Sequence, residues 1–292
     1  MDGVLNIFKN TGMTSFDVVR IIKKASGTKK VGHTGTLDPE ASGVLPVCIG
    51  KGTKIIDYIM KSDKIYEVEF KLGIKTTTYD LEGDIIEEKD PSILTDDNIL
   101  LAINSFIGEY SQVPPMYSAL KQNGVRLYEL ARKGIEVERE GRIVNIINIE
   151  NIKINNPYIS MKVSCSKGTY IRSLCYDIGE YLGVGAAMTK LKRTKTSKFI
   201  EEESVNIDNI NSENIKDFII SIEEALDSYD KLVVINKYSK LLINGVRVFD
   251  RRFTKEAFEL DKLYRVYDED GRFIGLGEGN NKGFKIEKLL IN

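Results

Sequence analysis

Residues 29–54 read KKVGHTGTLDPEASGVLPVCIGKGTK. Five glycines and two prolines rule out one regular element, so the stretch is a loop running into an apolar strand, VLPVCIG at 44–50. Within the loop Asp38 stands between Leu37 and Pro39. The proline offers no backbone N–H and biases the aspartate away from helix. Gly32, Gly35 and Gly43 let another chain come close to this backbone. On composition alone an Asp-Pro pair among glycines is most often a plain turn.

Working outward, VLNIFKN (4–10) has strand character, and Thr14 opens a helix with Asp17 as its capping-box partner. Val18, Val19, Ile21 and Ile22 form the apolar side of that helix, and Gly27 ends it. Downstream, a helix over KIIDYIM (54–60) precedes KIYEVEFKLGI (64–74). The alternation of the latter predicts a strand, with Ile65, Val68, Phe70 and Leu72 as apolar candidates. Further strands are expected over GDIIEE (83–88), GRIVNIINIENIKI (141–154) and YISMKVSCS (158–166). Helical patterns cover 95–108, 124–134 and 169–183, the last with Ile171, Leu174, Ile178 and Leu182 at helical spacing.

Residues 199–230 read as acidic helical surface leading to a boundary. Beyond it, 231–292 carry short β-type runs, a DEDG turn and closely spaced glycines, which suggest a small β-barrel. GLGEG at 275–279 is no dinucleotide fingerprint, because no helix follows it. The expected fold class is therefore α/β in the α+β sense: a mixed β-sheet domain flanked by helices over 1–228, plus a small C-terminal β-barrel over 231–292. A chain of 292 residues exceeds what one core comfortably fills, in keeping with two units.

Composition narrows the chemistry. The chain is 42% hydrophobic and 29% charged, ordinary globular material. No apolar run approaches the roughly 18 residues of a membrane helix, and MDGVLNIF lacks a signal-peptide pattern, so a soluble cytoplasmic protein is expected. The three cysteines, Cys48, Cys165 and Cys175, are scattered and suit buried packing in a reducing compartment. A single histidine, His33, removes most zinc sites and forces any histidine-based triad through one residue. The chemistry is left to carboxylates, tyrosines and basic side chains.

The net charge of −1 conceals segregation. Residues 110–198 carry 15 basic and 7 acidic side chains, while 81–109 carry 1 and 8, and 199–230 carry 1 and 10. Such a chain can present a basic face to phosphates while staying neutral overall.

The string HTGTLDPEASGVLPVCIGKGTK (33–54) resembles, nearly letter for letter, the signature of the TruB-type tRNA pseudouridine synthases. FKNTGMTSFDVV (8–19) resembles the family's opening motif, SDKIYEVEFKLG (62–73) its tyrosine strand and TTTYDLEGDI (76–85) its acidic motif. CSKGTYIRSL (165–174) resembles its arginine motif, LKRTKTSKF (191–199) its late strand, and 231–292 the small RNA-binding PUA domain. Thr36, where synthases acting on ribosomal RNA usually carry arginine, favours the tRNA branch. Two positions depart from the pattern: Asn10 replaces a proline, which bears on the rigidity of the turn at Lys9, and Thr77 replaces a frequent aspartate near Asp80.

The resemblance implies isomerisation of uridine 55 in the tRNA T-loop to pseudouridine, with the base flipped out of the stack and no cofactor or metal. It implies Asp38 as the essential carboxylate, and either nucleophilic attack or removal of a ribose proton suits that residue chemically. It also implies that Arg172 pairs with Asp38, that Tyr66 stacks on the extruded base and handles its C5 proton, and that Leu191 closes the base pocket. Asp80 is implied to support the polar network. His33 is implied to contact RNA, although its titration range also fits a general base. Lys167, Tyr117 and Lys121 are implied RNA contacts, the last two within a thumb-like insertion at about 110–135. The implied partner is tRNA through its T-loop and T-stem, with no membrane and no obligate protein partner expected. One rival is a tRNA-folding chaperone in which catalysis is secondary. The other is a carboxylate glycosidase, which would need two catalytic carboxylates and transfer the sugar to water.

Overall fold

The structure, a computed structural model, describes residues 1–291. Eleven strands form one mixed sheet. Its main path runs Val205–Asn206, Gly3–Lys9, Ser42–Ile49, Ala186–Thr196, Lys64–Leu72, Tyr158–Cys165, Arg142–Asn155 and Gly108–Gln112. Short strands Val31–His33, Phe199–Ile200 and Ile219–Ile220 attach beside this path. Most pairings are antiparallel, but Ala186–Thr196 meets Ser42–Ile49 in parallel, with Lys192 opposite Ser42 and Arg193 opposite Gly43. That join sets the end of the Asp38 loop against a strand about 150 positions later in the chain.

Helices Ser15–Ser26, Asp96–Asn104 and Ile171–Tyr181 contribute Val18, Ile22, Ile99, Ile103, Leu174 and Ile178 to the main core. The first helix has the expected ends: the Thr14–Asp17 capping box is formed, and Gly27 closes it in the left-handed region at φ 62°. Such a cap is worth about 1 kcal/mol. The strand Ser42–Ile49 is buried on both sides. Leu45, Val47 and Ile49 belong to the main core, while Val44 and Cys48 belong to a second cluster with Ile55, Leu226, Leu276 and Leu290. All three cysteines are free and buried.

Several expectations need correction. In Lys64–Leu72 the inward face is Lys64, Tyr66, Val68, Phe70 and Leu72, so Ile65 lies on the opposite face and Tyr66 takes the inner place. The helical pattern over 124–134 yields only one helical turn, Leu127–Ala131, and residues 110–112 belong to a sheet strand rather than to the insertion that follows. Residues 199–230 are not helical surface. They form short 3₁₀ turns and strand fragments that run along the large sheet, and Ile207, Ile210 and Ile215 are buried in its core. Short elements of this kind leave no 3.6-residue periodicity to read.

The C-terminal unit is a four-stranded sheet, Lys231–Val234, Leu263–Asp268, Phe273–Asn280 and Gly283–Leu289, around Leu232, Val266, Ile274 and Phe284. It includes a helix, Asn236–Ile243, inside a stretch expected to be short strands. Eight residues are too few for periodicity to separate a buried helix from a strand. Among the described residues no pairing joins the first and last strands into a closed barrel. No helix among them is long and apolar enough to cross a membrane.

Candidate active site

Asp38 is held from both sides by the opening segment. The Ser15 hydroxyl donates to the Leu37 carbonyl at 3.0 Å and accepts from the Leu37 N–H at 2.8 Å. On the other side the Pro39 carbonyl accepts from the Gly12 N–H at 3.0 Å and from Lys9 Nζ at 3.1 Å. Lys9 is fully buried and donates as well to the carbonyls of Asn10 and Met13, at 2.9 and 2.7 Å. Burial lowers its ammonium to a pKa of about 8, against the opposing pull of Glu40 and Asp38. Two flanking residues pinned in this way fix the backbone from which the Asp38 carboxyl projects.

It faces Arg172. The guanidinium grips Asp38 at two points, Nε to Oδ2 at 3.0 Å and Nη2 to Oδ1 at 3.2 Å. Nη1 lies 3.3 Å from Asp80 Oδ2 and donates to the Thr78 carbonyl at 3.2 Å, while Nη2 donates to the Tyr117 carbonyl at 2.8 Å. The Arg172 side chain is 7% exposed and that of Asp38 36%. A carboxylate open to solvent on one side and forked by a buried arginine on the other is oriented yet accessible. Burial pushes the Asp38 carboxyl above the ordinary 3.8, Arg172 pulls it down and the nearby Asp80 adds to the rise. Arg172 stands in the first turn of its helix, where the backbone dipole disfavours a cation, and two carboxylates offset that.

Asp80 does two jobs with its two oxygens. Oδ1 accepts from the Glu82 N–H at 3.1 Å, closing an Asx-turn, and from the Thr78 hydroxyl, while Oδ2 meets Arg172. The preceding Tyr79 adopts φ 65°, uncommon for a side chain of that size, and its ring stacks on Tyr176 with centroids 4.0 Å apart. The departures from the family pattern are both accommodated. Asn10 and Asn206 exchange side-chain amide bonds at 3.1 and 2.8 Å, and Asn10 also donates to Asp208 at 2.8 Å, which ties down the turn where a proline would have stiffened it. Thr77 Oγ1 accepts from the Asp84 N–H at 3.2 Å and closes the turn ahead of Asp84.

Tyr66 and Leu191 sit in the main core on neighbouring strands. Burial pushes the Tyr66 hydroxyl up, and the Arg193 guanidinium beside it opposes that. His33 is half-buried, and its Nδ1 accepts from the Gly35 N–H at 3.3 Å, which leaves the ring proton on Nε2. Burial and Arg193 both push its pKa below 6.5, so the ring is a neutral donor at pH 7. Tyr117 enters the site through its backbone carbonyl. Lys121 and Lys167 are exposed and make no polar contact with Asp38 or Arg172. Three contributors escaped sequence reading as individuals: Ser15, Lys9 and Arg193. Each lies inside a motif quoted above, but a serine, a lysine and an arginine carry no mark of burial in their letters.

Three family domains cover the chain in series. Residues 23–171 match the TruB family pseudouridylate synthase N-terminal domain. Residues 172–231 match the tRNA pseudouridylate synthase B C-terminal domain, and 235–286 the C-terminal domain of pseudouridine synthase II TruB. The tRNA pseudouridine synthase B of Clostridium perfringens strain SM101 is 63% identical over 292 residues, covering 100% of this chain and 99% of that protein. The protein of the same name from Clostridium tetani is 56% identical over 291 residues, with 100% of both covered. The fold is similar to a chain in the crystal structure of a Cbf5-Nop10-Gar1 complex, with a TM-score of 0.74, 26% identity, and coverage of 99% of this chain and 85% of that one.

Proposed function

We propose that this chain, which belongs to the TruB family of pseudouridylate synthases and is a tRNA pseudouridine synthase, acts on uridine 55 of the T-loop with Asp38 as its essential carboxylate. The observation that carries the assignment to Asp38 is its two-point contact with the buried Arg172, while both of its chain neighbours are fastened to residues 9–15. Pseudouridine formation breaks the N1–C1′ bond, turns the uracil and rejoins it through C5, so no atoms or electrons enter or leave. A fixed carboxylate at C1′ or at the ribose proton, kept ionised by Arg172, is what the bond cleavage asks of the protein.

The target is extruded from the T-loop stack, at a cost of a few kcal/mol that phosphate contacts and stacking in the pocket offset. Tyr66 and Leu191, inward-facing on adjacent strands, form the floor on which the uracil rests. Tyr66, whose hydroxyl burial keeps protonated, acts at C5 as a relay that gives up its own proton as it takes the one C5 releases. Asp80 steadies Arg172. His33, Lys167, Tyr117 and Lys121 meet the RNA, the last two from the thumb-like insertion that follows the strand Gly108–Gln112, and residues 231–292 serve as the PUA-like grip on tRNA. The basic stretch 110–198 faces phosphates. The protein works in the cytoplasm without an obligate protein partner or cofactor.

The test is direct. The purified chain is incubated with a T-arm transcript, the RNA is digested, and the products are separated. Pseudouridine at position 55 alone is expected. Released uracil would mean a glycosidase, tight binding without product would mean a folding chaperone, and product at other positions would overturn the site specificity.

His33 gives a second expectation. As a neutral ring with Nδ1 already accepting from Gly35, it is a poor base and a serviceable hydrogen-bond donor to RNA. His33→Gln should weaken tRNA binding several-fold while keeping the single-turnover rate at saturating enzyme within about tenfold of wild type. A rate loss as deep as that of Asp38→Asn, with affinity intact, would make His33 a participant in proton transfer.

A further inference from the structure

Arg193 is the largest of the fully buried side chains, 1% exposed, and among the described residues it forms no ion pair with a carboxylate. Its guanidinium is instead spent on backbone carbonyls: Nε donates to Val44 at 2.8 Å and Nη2 to Gly35 at 3.1 Å. Gly35 and Val44 flank the Asp38 loop, one just before the aspartate and one just after it. The residue is placed equally closely to the other half of the site. Arg193 lies directly opposite Tyr66 in the antiparallel pairing of their strands and opposite Gly43 in the parallel pairing on its other side. The approach to Gly43 is so close that a Cβ there would overlap the Arg193 backbone, and Gly43 sits at φ 108°, where side chains are strained.

An isolated cation is costly to bury, and an apolar side chain of similar volume would fill the same space without that cost. What methionine or leucine could not do is donate to two carbonyls on either side of a loop while its own backbone is paired to the Tyr66 strand.

We propose that Arg193 is a positioning residue for the reaction: it ties the Gly35–Val44 segment to the Tyr66 strand, so that the Asp38 carboxylate and the Tyr66 ring address one nucleoside at a fixed separation. This rests on the assignment of Asp38 and Tyr66 above. Arg193 acts through these two segments and not on the nucleoside itself. Its guanidinium also lies near enough to Tyr66 and His33 to bias both hydroxyl and imidazole, in keeping with its place between them.

The experiment compares Arg193→Met, Arg193→Lys and Asp38→Asn with wild type by single-turnover pseudouridine formation at saturating enzyme, tRNA affinity and thermal unfolding. For a folded Arg193→Met the expected result is tRNA affinity within about threefold of wild type and a chemical step slowed about 10- to 100-fold, the size expected for misplacement by an ångström or so. Arg193→Lys keeps the charge and one carbonyl bond, so it should recover part of that loss and stay slower than wild type. A wild-type rate in folded Arg193→Met, or a rate loss matched by an equal loss of tRNA affinity, overturns the proposal. Should Arg193→Met not fold, Arg193→Lys decides: a slowed step at unchanged affinity supports the coupling, and a wild-type step refutes it. Asp38→Asn separates the two layers of inference, since an active Asp38→Asn removes the catalytic assignment itself, whereas an inactive one beside a fully active Arg193→Met removes only the role of Arg193.

Discussion

Asp38→Asn is expected to reduce pseudouridine formation below about one per cent of wild type while leaving tRNA affinity within several-fold. The substitution keeps the shape of the side chain and lets its amide oxygen accept one bond from Arg172, so the loop pinned by Ser15, Gly12 and Lys9 has no cause to move. What disappears is the negative charge and with it both chemical options, attack at C1′ and removal of a ribose proton. Single-turnover assays at saturating enzyme, paired with filter binding, make the distinction. Residual activity above that level would take the essential role from Asp38.

Arg172→Leu should show the second large effect, and in two observables. Its guanidinium serves Asp38, Asp80 and the carbonyls of Thr78 and Tyr117 together, so its removal strands two carboxylates and two buried acceptors. Removing one partner of a buried pair costs about 3–5 kcal/mol, and the partial exposure of Asp38 argues for the lower end of that range. Thermal unfolding should register that loss.

The pH profile should move as well. Burial already raises the Asp38 pKa above 3.8, and Arg172 is the main influence pulling it back. On the proposed role the active form is the carboxylate, so the wild-type rate should fall as pH is lowered through the raised pKa. Without Arg172 the fall begins at higher pH, and acid should inactivate Arg172→Leu sooner than wild type. For stability the sign is opposite: a raised folded-state pKa means ionising Asp38 costs folded stability as pH rises through that value, and Arg172 limits this cost. An unshifted acid limb in a folded Arg172→Leu would show that the arginine does not govern the charge of Asp38.

Much of this molecule is legible from local patterns. The Thr14 cap, the Gly27 stop, the loop around Asp38, the strand that follows and the amphipathic helix behind Ile171 all depend on neighbours within a few positions, where turn chemistry and periodicity act. Resemblance then named Asp38, Tyr66, Asp80, Arg172 and Leu191 as candidates, of which the fold gathers Asp38 and Asp80 around the Arg172 guanidinium. Phase was harder. Ile65 outranks Tyr66 on hydrophobicity, yet two-residue alternation along the strand puts Tyr66 on the face of Val68, Phe70 and Leu72 and Ile65 on the other. Residues 199–230 escaped for a related reason, being 3₁₀ turns and two-residue strands that take their form from the sheet they run along.

By itself the sequence determined which residue types are available for chemistry and where the chain turns, since these follow from side-chain chemistry and short-range backbone preference, while the choice of Asp38 among the carboxylates came from the motifs it sits in. Only the tertiary structure decided that Lys9 and Arg193 are buried cations, that Ser15 clamps Leu37, and that Arg172 forks Asp38 across 134 positions of chain. Burial and long-range pairing are properties of strands brought together from distant parts of the chain, as where Arg193 meets Gly43. A charged letter reads as surface until the fold supplies the carbonyls and carboxylates that let it stay inside.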